Sequence, residues 1–561
     1  MDGIAITRSN ASSQNDQPAL ACRTLAWLVD PPTDRGVHFA TDDEWTFHSY
    51  ARLSTLVSQA AARLRAAGVR EGDVVPIACG SSPTFIAAFF GALLLGASPS
   101  ALAPPGRSSG DGGYLDRFVT LVRATGGQTL VTTADLASTF EPAATAAGVT
   151  LLADVTDGDT PLTDPILAPR NAMVQFSSGS TGTPRGVRIS MSALDAQVTM
   201  LRDWMSFTEA DAYASWLPLH HDMGLVGCLL FPMAYRADVL LMRPEQFVRS
   251  PLRWLQAFST HGTTAATPPF GLSHVLRRVR PAQLRGLDFS GWRTLIVGAE
   301  RVDNAALRAF GELLAPAGFR PDALLPAYGL AEATLAVTGA RHGGPRSLTV
   351  DVDSLRPGQR VQPVDPSSPR SMTLTACGGP LSGVRLGIVD DDGRPLGVDM
   401  LGEITVGGDA LADGYIVDGV LTSFHDPIRT GDAGFLHDGE LYVVGRFGDA
   451  TKILGRWLFA EDVERAAVAL SPAPGRTVAL VGEWDGDVTA VIVIEGDLGA
   501  EAGAIGTAAR AKADAARVRV VTVDTGWISR TTSGKPQRRA MWQRLISEDH
   551  GITLRWDSAD V

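Results

Sequence analysis

Ser177-Ser178-Gly179-Ser180-Thr181-Gly182-Thr183-Pro184-Arg185-Gly186 follows the apolar run AMVQF (172–176) and precedes a second strand-like run at 187–189. The glycines free the backbone to turn sharply, so its N–H groups and the Ser/Thr hydroxyls can converge on an anion. The stretch reads as a polyphosphate cradle. Its place between two strands, not between domains, argues against a passive Ser/Gly linker. No Lys-Ser/Thr pair follows Gly186, which argues against a P-loop ATPase or kinase.

Working outward, residues 50–67 carry helical Ala/Leu/Arg periodicity, 74–79 (VVPIAC) read as a strand, an apolar helix starts at Phe85, and 130–134 (LVTTA) read as another strand. Beyond the loop the alternation resumes with strand-like runs at 237–242, 263–268 and 294–300. Such alternation predicts parallel α/β layers. From about Leu374 the texture changes to short runs with Gly/Asp turns, which predicts antiparallel strands in a small barrel or sheet. After Gly445 a compact α+β segment follows. The expected fold class is α/β: a large N-terminal domain (1–444) of layered α/β subdomains plus a small β-rich subdomain, then a small mobile α+β C-terminal domain (445–561).

A chain of 561 residues exceeds one core, in keeping with this division. Its net charge of −12 argues against a nucleic-acid or anionic-membrane surface, so any anionic ligand must be met by a local site. Cys22, Cys79, Cys228 and Cys377 are far apart, without metal-ligand or disulfide spacing, and a reducing cytoplasm is the expected location. The first twenty residues are polar and read as a loose tail without a signal-peptide core. The longest apolar stretch, 85–95 (FIAAFFGALLL), is too short to span a bilayer and reads as a buried helix. Lysine occurs only at 452, 512 and 535, and both Lys452 and Lys535 sit in glycine-containing motif-like segments. There a compact point charge is wanted in place of a guanidinium fork.

Read in order, the chain carries SSGSTGTPRG from Ser177, WLPLHHDMG from Trp216, VGAE from Val297, AYGLAEAT from Ala327, GEITVGG from Gly402, RTGD from Arg429, GRFGDATKILG from Gly445 and SRTTSGKPQR from Ser529. The series resembles the adenylate-forming superfamily of acyl-CoA synthetases, peptide-synthetase adenylation domains and luciferases, over about residues 44–544. PLHHDMGLVG and YGLAEATLAVTG are most similar to fatty acyl-AMP ligases. The resemblance implies activation of a carboxylic acid by ATP and Mg²⁺ to acyl-AMP, with release of pyrophosphate and transfer to a thiol.

In that chemistry two anions must meet while a third leaves, so catalysis is mostly positioning and charge neutralisation. The resemblance assigns Ser177, Ser178, Gly179, Ser180, Thr181, Gly182 and Arg185 to the β- and γ-phosphates. Glu332 would help hold Mg²⁺, a hard cation suited to oxygen ligands. Asp432 would accept from the ribose hydroxyls, Arg446 would approach the ribose-phosphate, and Gly298, Ala299, Glu300, Ala327 and Tyr328 would frame the adenine. Lys535 would bridge the attacking carboxylate and the α-phosphate. His221, next to His220, would shape the acyl-pocket entrance and gate the thiol. Met223, Gly224, Gly227, Thr267 and Phe270 would line the acyl pocket, with Trp216 as core packing. Asp449 would be the hinge of the smaller domain.

Arg185 stands where the family often has Lys, Met191 where it often has His, and Pro269 where acyl-AMP ligases commonly have Asn; GRWLFAEDVE (455–464) also departs from the family pattern. These departures bear on the acid and its acceptor, not on the ATP chemistry. The segment 340–370, rich in Gly, Pro and Asp, is long for a connection without obvious structure. In position it resembles the insertion of fatty acyl-AMP ligases, which is associated with transfer to an acyl carrier protein in place of CoA. The mostly apolar WLPLHHDMGLVGCLLFPM points to a fatty or bulky apolar acid. Two alternatives stand beside this reading: an acyl-CoA synthetase for a bulky or aromatic acid, and a non-catalytic acyl-adenylate-binding protein.

Overall fold

The computed structural model describes residues 5–6, 22–42, 44–105, 113–156, 166–167, 169–177, 185–368, 370–417, 419–453, 456–484, 486–498, 501–513, 515–530, 535–547 and 551–560. Its largest sheet has nine strands, in the order Gly379–Pro380, Ala336–Gly339, Leu324–Gly329, Thr294–Val297, Thr264–Thr267, Ala212–Ser215, Asp238–Leu241, Gly36–Ala40 and Trp45–Ser49. The six strands from Leu324–Gly329 to Gly36–Ala40 are parallel. Those at the centre are short apolar runs buried along most of their length, as expected where helices cover both faces of a parallel sheet. A second, four-stranded parallel sheet is formed by Ser98–Ala101, Val74–Ala78, Thr129–Thr132 and Thr150–Ala153. The apolar helix expected near Phe85 spans Pro83–Leu94. Ser82 caps it by accepting from the Phe85 N–H, Pro83 occupies its first turn, and most of its residues are buried. No helix among the described residues is long and apolar enough to cross a membrane.

Asn171–Ser177 and Arg185–Ser190 pair antiparallel, with Ser177 opposite Arg185, so the glycine-rich stretch joins the two arms of a hairpin. Gly414–Val417 pairs with the second arm. The expected β-rich part is an antiparallel sheet in the order Val384–Val389, Gly402–Gly408, Ile428–His437, Glu440–Arg446.

The segment 340–370 is more ordered than its composition predicts. Ser347–Asp351 pairs antiparallel with Ser371–Thr375, and Val350, Leu355 and Val361 are buried with Leu401, Phe435, Tyr442 and Phe459. Its few apolar side chains find a core in the neighbouring sheet, which local composition does not reveal.

Beyond Ile453 the chain builds its own cores around a sheet of Thr477–Trp484, Asp487–Glu495, Arg517–Val523 and Thr553–Asp557. The helix Ala502–Arg510 makes the crossover between the parallel pair Asp487–Glu495 and Arg517–Val523.

Candidate active site

In an open α/β sheet ligands gather beyond the carboxyl ends of the strands. Here those ends lead into Pro268–Phe270, Gly298–Glu300 and Gly329–Glu332, three segments that hold sequence-predicted residues. Gly298 runs so close to the next strand that a Cβ would lie 2.8 Å from the Ala327 carbonyl oxygen. Ala299 has φ of 68°, a left-handed conformation uncommon for a residue with a side chain. The loop is thereby held against Ala327 and Tyr328, and all four residues line one cavity.

Asp432 lies opposite Arg446 in the antiparallel sheet. Its Oδ1 is 3.2 Å from Arg446 Nε, and its Oδ2 accepts a 2.7 Å bond from the Tyr328 hydroxyl. Burial pushes the Asp432 carboxyl upward, against the pull of Arg446, Tyr328 and Lys535. Glu332 sits in the short turn Ala331–Ala333, where its Oε1 accepts from Tyr415 and its backbone carbonyl from the Ala412 N–H. Arg185 holds its guanidinium 5.7 Å from the Tyr415 ring centre. Arg185, Tyr415 and Glu332 thus make one connected group at the foot of the hairpin. Ser177 is the last residue of the first arm. Ser178, Gly179, Ser180, Thr181 and Gly182 lie outside the described residues.

Lys535 is exposed, and its charge reaches both Glu300 and Asp432, opposing the upward push of desolvation on each carboxyl. The lysine from the far end of the chain is thus electrostatically coupled to two of the sequence-predicted site carboxyls. Arg301, next to Glu300, pairs with Asp462 at 2.5 Å, with both side chains almost buried. This ion pair joins the loop after Thr294–Val297 to the helix Ala460–Val468.

Asp449 ends the turn Phe447–Asp449 just after the strand Glu440–Arg446. Its Oδ2 is 3.4 Å from Arg538, which also meets Glu461 at 3.7 Å and Glu464 at 2.8 Å. Burial pushes the Glu461 carboxyl up to about 7 despite Arg538, and its Oε2 meets no hydrogen-bond partner among the described residues. A carboxyl raised in the folded state contributes stability fully below its ordinary value and loses it as pH rises through about 7. Glu461→Gln should therefore match the wild type below about pH 4. Above pH 7 it should be more stable by on the order of 1–3 kcal/mol, read as the difference in unfolding midpoints. A difference that does not change with pH would refute the assignment.

From Gly298, Ala299, Ala327 and Tyr328 the cavity continues into a mostly apolar part lined by Met223, Gly227, Ala266, Ile296 and Leu335, with Leu201, Trp204, Met205 and Tyr213, and with Asp222 as a charged lining residue. Met223 and Gly227, which the resemblance assigns to the acyl pocket, line this cavity from the π-helix Met223–Leu230. Gly224, Thr267 and Phe270 do not line this cavity. Gly224 is needed for backbone approach, since a Cβ there would lie 2.2 Å from the Pro218 carbonyl oxygen. Thr267 turns its hydroxyl toward the Pro268 carbonyl, while Phe270 is largely exposed and stacks on His274. His221 is half-buried two residues before Met223, its ring 4.5 Å from that of His220. Trp216 is core, stacked on Phe247 at 4.0 Å. Tyr415, Arg301 and Trp204 belong to no motif in the sequence reading. The apolar series Met191, Leu194, Val198, Leu201 and Met205 was the periodic signal marking the helix Met191–Met205, which carries Trp204.

The family model for AMP-binding enzymes matches residues 26–416. A putative acyl-CoA synthetase of Caulobacter vibrioides is 32% identical, over 80% of this chain and 82% of its own length. A medium-chain-fatty-acid–[acyl-carrier-protein] ligase of Moorena producens is 34% identical, over 69% of each chain. A solved structure from work on fatty acyl-adenylate ligases of E. coli and L. pneumophila superposes with a TM-score of 0.85 at 28% identity, covering 93% of this chain and 97% of that one. With its motifs in order and its cavity joining an apolar pocket to the Gly298–Tyr328 frame, the chain belongs to the AMP-binding enzymes, the adenylate-forming superfamily of acyl-AMP ligases and acyl-CoA synthetases.

Proposed function

We propose that this protein activates a fatty or bulky apolar carboxylic acid with ATP and Mg²⁺, releases pyrophosphate, and passes the acyl group from acyl-AMP to the phosphopantetheine thiol of an acyl carrier protein. The observation that carries this reading is the single cavity, whose apolar arm meets Gly298, Ala299 and Tyr328. A carboxylate at the junction has its hydrocarbon chain removed from water and its charged end beside the nucleotide, which is the near-attack arrangement for an acyl-phosphate bond. Lys535 neutralises charge as carboxylate oxygen and α-phosphate approach, and Asp432 and Arg446 hold the ribose-phosphate. Glu332 fits Mg²⁺: it offers a hard carboxylate oxygen, and Tyr415 orients it by bonding to the other. When bound, the ion supplies further charge neutralisation at the phosphates. Residues 1–444 build the site and 445–561 form the smaller, mobile domain with Asp449 at its hinge. The four cysteines are free and buried, which suits a reducing cytoplasm.

The carrier-protein acceptor is supported by the packing of segment 340–370. Its Val350, Leu355 and Val361 share a core with Phe459, and Phe447, Ala450 and Trp457 pack on the same core, so the insertion grips the entry to the smaller domain. That grip restrains the rotation a free thiol donor needs. With a panel of carboxylic acids, ATP and Mg²⁺, mass spectrometry should show acyl-AMP accumulating in the presence of CoA and acyl-carrier protein forming when holo-carrier is added. Acyl-CoA production as fast as pyrophosphate release would overturn the acceptor assignment and favour the CoA synthetase reading. Absence of pyrophosphate release with every acid would favour the non-catalytic one.

A further inference from the structure

We infer that His38, Asp238 and His261 form a binding site for a divalent transition-metal ion of the Zn²⁺ class, at the end of the large sheet away from the candidate active site. The inference is independent of the adenylation reading. Three elements converge on the site. Val239 pairs with Val37 and Leu240 with His38 in parallel register, so Asp238, the first residue of its strand, falls beside Gly36. Side chains two apart on a strand share a face, which places the Asp238 carboxylate and the His38 imidazole on the same face of the sheet. Gly36 brings no side chain of its own, and its N–H donates a 2.8 Å bond to Asp238 Oδ1 that fixes the carboxylate. His261 ends the helix Pro251–Thr260. Its N–H donates a 3.0 Å bond to the Ala257 carbonyl, and its Nε2 is 3.0 Å from Asp238 Oδ2.

The donor atoms suit one ion. One ring nitrogen of each histidine and a carboxylate oxygen all lie within 4.8 Å of one another, and the two rings stand 5.7 Å apart, centre to centre. With bonds of about 2.0–2.1 Å, two ligands of a tetrahedral zinc are about 3.4 Å apart. The Asp238–His261 pair is already near that spacing. The widest pair has to close by about 1.4 Å at most, which a turn about the soft outer torsion of an imidazole supplies. An ion pair of His261 with Asp238 needs no second imidazole; His38 is the group that makes a three-ligand set. Two imidazole nitrogens and one carboxylate favour Zn²⁺, Co²⁺ or Ni²⁺ over Mg²⁺, which keeps to oxygen. The His261 side chain is 45% exposed, so an ion reaches the site from solvent and water completes the fourth position. Once bound, the ion ties two strands to the end of a helix.

The test is titration of the tag-free protein with Co²⁺, followed by its visible d–d absorption, with Mg²⁺ in excess to occupy oxygen sites. The wild type should bind one equivalent, and Zn²⁺ should bleach the band as it displaces Co²⁺. Zn²⁺ at about a hundred times its Kd should lower the unfolding equilibrium constant about a hundredfold, seen as a raised unfolding midpoint. His261→Ala and His38→Gln should each weaken Co²⁺ binding by roughly a hundredfold or more, beyond the effect typical of a lost outer partner, and abolish the Zn²⁺-dependent shift. Circular dichroism checks that both variants are folded. Wild-type affinity in both would place the ion elsewhere and overturn the site, as would a wild type without saturable binding. Wild-type affinity in His38→Gln alone would reduce Asp238 and His261 to an ion pair and overturn the three-ligand assignment.

Discussion

Replacing Lys535 with alanine should lower acyl-AMP formation by roughly two to three orders of magnitude while leaving ATP binding largely intact. The expectation follows from where its charge acts. Lys535 offsets part of the effect of desolvation on Asp432 and on Glu300, two residues proposed to face the nucleotide, although it is exposed and distant in sequence. In the proposed ground state Arg446, paired with Asp432, would already stand near the α-phosphate. In the proposed reaction the negative charge that gathers as a carboxylate oxygen closes on phosphorus would be met by the ammonium of Lys535. An interaction realised mainly in the transition state is lost from kcat rather than from binding. Single-turnover pyrophosphate release and nucleotide titration on the same preparation separate the two. Wild-type release rates in the variant would remove Lys535 from the chemistry.

Asp432→Ala should act in the opposite sense, raising KM for ATP and lowering kcat/KM for ATP at least a hundredfold. A carboxylate that accepts two hydroxyl bonds contributes about 1.5 kcal/mol or more for each, and about 3 kcal/mol in total is two orders of magnitude. The variant also strips Tyr328 of its acceptor and Arg446 of its partner. Asp432→Asn keeps an oxygen for Tyr328 while removing the charge. If Asn restores ATP affinity in full, the residue serves to place Tyr328 and does not need its charge for the ribose. An unchanged KM in the alanine variant would dismiss the role altogether.

The residues legible in the sequence are those whose chemistry needs a fixed run of neighbours. Gly298 and Ala299 form a tight loop after a strand, Asp432 sits in a turn-rich run, and Lys535 is one of three lysines in the chain; each carries its context with it. The hairpin around the hydroxyl-rich stretch was legible for the same reason, since two apolar runs flank a breaker-rich centre. The acyl pocket was not. Its wall is assembled from side chains far apart in sequence, and a Trp such as 204 or a Tyr such as 415 carries no local mark of which surface it will face. Thr267 and Phe270 were placed in the pocket by their motif, but the backbone turn at Pro268 sends one toward a carbonyl and the other outward. Segment 340–370 was legible as an insertion but not as a folded one, because its core is borrowed from the adjoining sheet.

The pairing of Arg301 with Asp462 bears on the fate of the intermediate. Acyl-AMP is a mixed anhydride, and water in contact with it wastes an ATP for every molecule hydrolysed. Because the residue beside Glu300 is also the one that clasps the helix Ala460–Val468, the lip of the nucleotide loop and the C-terminal part part company together or not at all. Opening this edge of the cavity to water then requires breaking the Arg301–Asp462 pair as well as loosening the loop. If the proposed carrier protein is the acceptor, the wait between making the anhydride and meeting the thiol gives such a clasp a use.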